Sequence, residues 1–179
     1  MIKIQINENI FLRQLEEADA KELFALVDNN RSHLQPWMLW LDNNKCIQDN
    51  LVFIHSTIEQ FVENNGIHLA VFYKGKIAGL CGMTNYSEVN KKVEVGYWLG
   101  KEYQGLGLMA ITLKEVLKYA FNTMKLNRVE LKAATNNKRS RAVAEKIGFK
   151  HEGTLRKSDF VNGEFHDMEM YSMLIEEFK

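Results

Sequence analysis

Between residues 92 and 121 the chain changes period, and few folds accommodate the change. KVEVGYWL, at 92–99, alternates like a strand half-buried on one face. GKEYQGLGLM then turns through two glycines separated by one residue. After it Leu106, Met109, Ala110, Leu113, Val116, Leu117, Ala120 and Phe121 recur at helical spacing. A strand that feeds at once into an amphipathic helix calls for a sheet with a helix laid against it.

The rest of the chain fits that arrangement. Short strands are expected at 2–6 and 10–15, then a helix over 18–27 with Ala20, Leu23, Phe24 and Val27 on one side. RSHLQPWMLWLD holds the only proline, which breaks a helix there and leaves a helix–turn segment with aromatic surface. A helix over 47–63 would bury Leu51, Ile54, Ile58, Phe61 and Val62. HLAVFYKGKIAGLCGM has the form of a hairpin turning at Lys74-Gly75-Lys76. A strand at 128–134, a short helix at 140–147 ended by Gly148, and two strands about Val161-Asn162-Gly163-Glu164 complete the pattern. The expectation is a mixed α/β sheet in one domain over 1–179, since 179 residues suit one domain at roughly 100–200 residues each.

Composition closes off other classes. Gly and Pro together number 12 of 179, too few for a linker-rich, collagen-like or disordered chain. The start, MIKIQINENI, has no signal-peptide pattern. No apolar run approaches the ~18 residues of a membrane span. With two cysteines, no CxxC and histidines scattered singly at 33, 55, 68, 151 and 166, neither a disulfide scaffold nor a metal site is expected. The expected location is the cytoplasm, with no membrane partner.

Net charge is zero, which removes the simplest case for nucleic-acid binding. Its distribution is uneven. Residues 1–66 carry 5 Lys/Arg against 10 Asp/Glu, 125–150 carry 8 against 2, and 151–179 carry 3 against 7. A basic island between acidic flanks suits a small polyanion, or is a solvated helix face. The turn at 104–109 fits the first alternative. Gly105 and Gly107 at a helix start expose backbone N–H groups and the positive end of the helix dipole, a site suited to pyrophosphate. It is neither a Walker A loop nor a dinucleotide fingerprint, and on its own can be only a tight turn.

Gln104-Gly105-Leu106-Gly107-Leu108-Met109 resembles the Q/R-x-x-G-x-G/A acyl-CoA loop of the GNAT superfamily of N-acetyltransferases. Asn137 and Ser140, followed by Gly148-Phe149, resemble its second signature, N-x-x-S ending in G-F. FLRQLEEADAKELFALVDNN, HLQPWMLWLD and NGEFHDMEMYSML extend the resemblance over the whole chain, toward the ribosomal-protein-serine N-acetyltransferase branch. Met109 departs from the superfamily's Gly or Ala.

The resemblance implies a mostly antiparallel central sheet, splayed at two parallel strands and flanked by helices. It implies acetyl-CoA as co-substrate, no metal, and an amine acceptor. Backbone groups of Trp98 and Leu99 would pair with the pantetheine arm, and the N–H groups of Gly105, Leu106, Gly107, Leu108 and Met109 would hold the pyrophosphate. Asn137 and Ser140 would lie near the thioester, with Ser140 as proton donor to the thiolate or, alternatively, as a helix cap or first-turn residue. Asp159 stands where the ribosomal-serine branch has an acid, and as the shorter side chain it would work through a water. Glu94 is the other candidate base, or a solvent-face strand residue.

Trp37 and Trp40 would line the acceptor groove or pack under a loop. Lys138, Arg139 and Arg141 would meet the 3′-phosphate of CoA or remain solvated. Cys81 and Tyr171 read as core residues. The acceptor implied is the N-terminal amine of a ribosomal protein; the alternatives are a small amine (polyamine, amino sugar or antibiotic) or an idle acyl-CoA-binding module. A homo-oligomer is left open.

Overall fold

A computed structural model describes residues 2–179. Eight strands and five α-helices follow one another as β1 (Lys3–Gln5), β2 (Ile10–Arg13), α1 (Ala20–Asn29), α2 (Arg31–Leu34), α3 (Ile47–Val62), β3 (Ile67–Tyr73), β4 (Lys76–Ser87), β5 (Lys92–Leu99), α4 (Leu108–Lys118), β6 (Arg128–Ala134), α5 (Lys138–Ile147), β7 (Lys150–Val161) and β8 (Glu164–Leu174). The strands form one sheet in the order β1-β2-β3-β4-β5-β6-β8-β7.

The pairing is mostly antiparallel, as expected, and β5 with β6 is the parallel pair. Parallel neighbours need a long crossover, and α4 supplies it. Pairs run only from Lys92↔Arg128 to Val95↔Leu131, while the strands continue to Leu99 and Ala134.

The chain divides into two compact units. One runs to Gly82 and resumes over Tyr97–Leu108; the other comprises Met83–Gly96 and Met109–Lys179. In the first, Leu15, Leu23, Val27, Leu34, Ile54, Phe72, Ile77 and Trp98 form a continuous core. Asp19 is buried there and takes both guanidinium nitrogens of Arg13, at 2.6 and 2.8 Å, together with the Glu16 N–H at 2.7 Å. The Arg13 guanidinium also lies 4.5 Å from the Phe72 ring centroid. This fork-to-fork pair ties β2 to the start of α1, and removing one partner would cost about 3–5 kcal/mol.

In the second unit Val93, Val95, Val129, Leu131 and Ala133 alternate onto the buried side of β5 and β6. Lys92, Glu94, Arg128, Glu130 and Lys132 take the other side, where Glu130 accepts from both Lys92 and Arg128. Arg128 also grips Glu152, whose carboxyl is held down to about 2 by that guanidinium and by the Ser172 hydroxyl.

Several sequence expectations are corrected. Ile58 and Val62 are exposed, because α3 buries Asn50, Ile54 and Thr57 instead. Leu106 is 51% exposed and precedes the helix, since the glycines keep 105–107 out of it. The helix expected from residue 140 begins at Lys138, capped by Asn137. α4 ends in a π-turn over Tyr119–Thr123 that periodicity did not show.

Candidate active site

The turn before α4 is held open by its glycines. Gly105 and Gly107 have φ of 76° and 73°, a region costly to residues with a Cβ. A Cβ at either would meet nothing within 4 Å, so conformation rather than crowding demands glycine. Leu108 and Met109 turn inward and are buried, so the bulk of Met109 does not obstruct the loop surface. What the turn presents is backbone at the positive end of α4, with Leu106 beside it.

Behind the turn lies a polar brace that sequence reasoning missed. Asn30, 4% exposed, accepts from the Lys101 N–H at 2.7 Å and donates to Glu102 at 3.2 Å and to the Leu26 carbonyl at 2.9 Å. The Gln104 side-chain amide donates to His33 Nε2 at 2.8 Å. Tyr103 sets its ring edge-on to Tyr73, and the Gly100 N–H donates to the Ala78 carbonyl at 2.9 Å.

Trp98 is buried and lies 5.9 Å, ring to ring, from Trp40, while Leu99 is half-buried. Of the two tryptophans read as acceptor-groove residues, Trp40 thus meets Trp98 with its ring tilted by 46°, and Trp37 is half-buried with its backbone N–H on the Leu34 carbonyl. A Cβ at Gly79 would fall 2.1 Å from the Trp98 carbonyl oxygen. No larger residue fits against the backbone of Trp98 and Leu99.

In the second unit, Asn137 caps α5 by accepting from the Ser140 N–H at 3.2 Å. Ser140 is therefore a first-turn residue, half-buried, and the cap is Asn137. Lys138 and Arg139 are exposed on the same turn. Arg141 donates to the Tyr171 hydroxyl at 3.1 Å and to the Thr135 carbonyl at 3.0 Å. Tyr171 is buried, as expected of a core residue, and its hydroxyl donates to Glu145 at 2.9 Å.

Glu94 and Asp159 both act on the charge of Lys132, Glu94 through a direct hydrogen bond. Lys132 donates to Glu94 at 2.9 Å, and Asn85 donates to the same carboxylate at 3.2 Å. The bond to Glu94 raises the Lys132 ammonium above its ordinary range, and the charge of Asp159 adds to the effect. Glu94 is therefore a paired residue rather than a solvent-face one. Glu94 pairs in register with Glu130, which puts Lys132 on the diagonal.

Asp159 accepts from the Ser158 hydroxyl at 2.9 Å and pairs in register with His166. Its position depends on a register shift in β7 between Leu155 and Asp159, pinned where the Lys157 N–H donates to Asp167 at 2.7 Å. Such irregularities re-aim side chains.

Burial pushes the Cys81 thiol up to about 12, an inert group as expected. Two of the singly scattered histidines are strand residues with partners: His68 lies 3.0 Å from Gln60, and His151 lies 2.5 Å from Glu169. Among the described residues no three His, Cys, Asp or Glu are grouped to hold a metal ion, and no helix is long and apolar enough to cross a membrane.

The chain thus carries a parallel pair, β5 with β6, whose pairing ends before the strands do, and an open glycine turn at the start of α4. Residues 9–150 match the acetyltransferase (GNAT) domain family, and the chain belongs to it. It is an acetyl-CoA-dependent N-acetyltransferase. YdaF of Bacillus subtilis (strain 168), named as a candidate ribosomal N-acetyltransferase, is 36% identical across 100% of this chain and 98% of its own. The ribosomal-protein-serine acetyltransferase of Escherichia coli (strain K12) is 24% identical, covering 97% of each chain. Among solved structures, the microcin C7 self-immunity acetyltransferase MccE, in complex with acetyl-CoA and AMP, superposes with a TM-score of 0.91 at 29% identity over 94% of each chain.

Proposed function

We propose that this chain, as one catalytic domain over 1–179 acting in the cytoplasm, acetylates the N-terminal α-amine of a ribosomal protein beginning with serine. The observation that carries the acetyl-CoA half is the open turn at Gly105 and Gly107, whose backbone faces outward at the positive end of α4. The protein acceptor is supported by the names of the B. subtilis and E. coli relatives, which match this chain over nearly its whole length.

Acetyl-CoA supplies a thioester acyl group. The N–H groups of residues 105–109 would hold its pyrophosphate, and the backbone of Trp98 and Leu99 its pantetheine amides. Asp159 would take the proton that an incoming ammonium must lose before its nitrogen can attack. Glu94 is the weaker candidate, because Lys132 and Asn85 already occupy its carboxylate. Ser140 would give a proton to the sulfur as the C–S bond breaks. Trp37 and Trp40 would offer an extended peptide an aromatic surface.

A small-molecule acceptor is the second reading, favoured by the similarity to MccE. Thiol release from acetyl-CoA, measured with Ser-, Ala- and Met-starting peptides and with simple amines, separates the readings. The Ser-starting peptide should give the highest kcat/KM. Turnover confined to polyamines, amino sugars or nucleotides would overturn the protein acceptor, and no release with any acceptor would point to an acyl-CoA-binding module.

A further inference from the structure

The two glycines that open the acyl-CoA turn carry no side chains, so nothing within 105–107 except Leu106 can tie the turn to the body of the protein. Its placement falls to the residues just before it. Those residues are fastened, one after another, to the end of α1 and the start of α2. Asn30 holds the Lys101 N–H and the Glu102 carboxylate, and His33 holds the side chain of Gln104, immediately before Gly105. Further along the same segment Trp40 lies on Trp98. Residues 30–40 thus meet 98–104 at three points within one unit, with the buried Asn30 as the fixed end.

We propose that His33 is a positioning residue of the acyl-CoA turn, acting through Gln104, and that it joins that turn to the aromatic segment carrying Trp37 and Trp40. The proposal rests on reading 104–109 as the acyl-CoA site. A turn held in its binding conformation does not have to be ordered when the ligand arrives, so affinity is gained without a contact to the ligand. Because one segment carries both His33 and the tryptophans, whatever moves the turn is felt at residues 37–40, and the reverse holds by linkage.

The chain's three tryptophans are Trp37, Trp40 and Trp98, so tryptophan emission comes from this segment and from the residue that Trp40 meets. CoA should be titrated into the full-length protein, following both emission and heat, for wild type, His33→Ala, Gln104→Ala, the double variant, His33→Gln and Gly107→Glu. His33→Ala should raise the Kd for CoA roughly threefold to tenfold, the worth of one hydrogen bond. The double variant should bind no more weakly than the worse single one. His33→Gln, whose amide can still reach Gln104, should restore most of the affinity, and the emission change on CoA addition should shrink in His33→Ala and return in His33→Gln.

Wild-type affinity in His33→Ala, or additive losses in the double variant, would overturn the positioning role. Failure of the rescue by His33→Gln would overturn it as well, and melting curves on the same samples would show whether the fold was kept. Undiminished binding in Gly107→Glu is a different failure: it would remove the acyl-CoA reading of the turn, and the proposal with it.

Discussion

The two helices that follow β5 and β6 begin in opposite ways. α5 is closed by its own sequence, with the Asn137 carboxamide accepting the Ser140 N–H. α4 begins at Leu108, directly after Gly107, a residue with no side chain to turn back on the first-turn amides. Both starts carry the same partial positive charge. One has a first-turn N–H bound by a side chain of its own sequence, and the other follows a glycine that supplies no such side chain. On the proposed function the difference separates two duties that sequence motifs tend to merge: the α4 start would receive an anion, whereas α5 would fix the direction of the Ser140 hydroxyl.

The largest effect should come from closing the open start. Gly107→Glu puts a Cβ at φ 73° and a carboxylate where phosphates are to bind. Like charges brought together cost several kcal/mol, so CoA affinity should fall by about 100-fold or more. Calorimetry checks this. Gly107→Ala, with no charge, should lose far less, and equal losses in the two would mean that strain rather than electrostatics governs the turn.

Next in size is the proton acceptor. Asp159→Asn should lower kcat by about 10²–10⁴-fold while leaving the Kd for acetyl-CoA nearly unchanged. An α-amine loses its proton at about 7.7–8.0, so the loss should be partly relieved as pH rises through that range and the acceptor arrives neutral. Glu94→Gln also frees Lys132 and should do less. A pH–rate profile in which Glu94→Gln is the crippled variant would move the base to β5. Ser140→Ala should follow, with kcat reduced and cofactor affinity intact, since a proton donor acts mainly in the transition state. Unchanged turnover would leave α5 with capping and packing alone.

Much of this was legible from period and turn chemistry. Val93, Val95, Val129, Leu131 and Ala133 mark β5 and β6 by alternation, and Gly148 and Asn162-Gly163 mark a helix end and a hairpin. What escaped depends on contacts between residues distant in sequence. Asn30 reads as a polar residue after a helix until Lys101 and Glu102 are placed on it. Lys132 reads as one charge in a basic island until the register of β5 and β6 sets it beside Glu94. Leu106 was assigned to the helix because its spacing is right, and the backbone of two glycines overrides spacing. The placement of Asp159 depends on an irregularity in β7 that has no signature in its letters.

The smallest effect tests the closed start. Asn137→Ala removes the acceptor for the Ser140 N–H and should cost about 1 kcal/mol of stability, as loss of a helix cap does, read as a lower midpoint in denaturant. Without the carboxamide the first turn frays, and Ser140, three residues on, loses its fixed direction. Turnover should therefore fall while CoA binding at the α4 turn holds. Asn137→Asp, which keeps a side-chain acceptor and places a negative charge at the helix N-terminus, should restore stability. If it restores turnover equally, Asn137 serves only as the cap that aims Ser140. Should stability return and turnover not, the carboxamide N–H₂ has a duty of its own at the thioester, and the closed start is then part of the chemistry as well as its support.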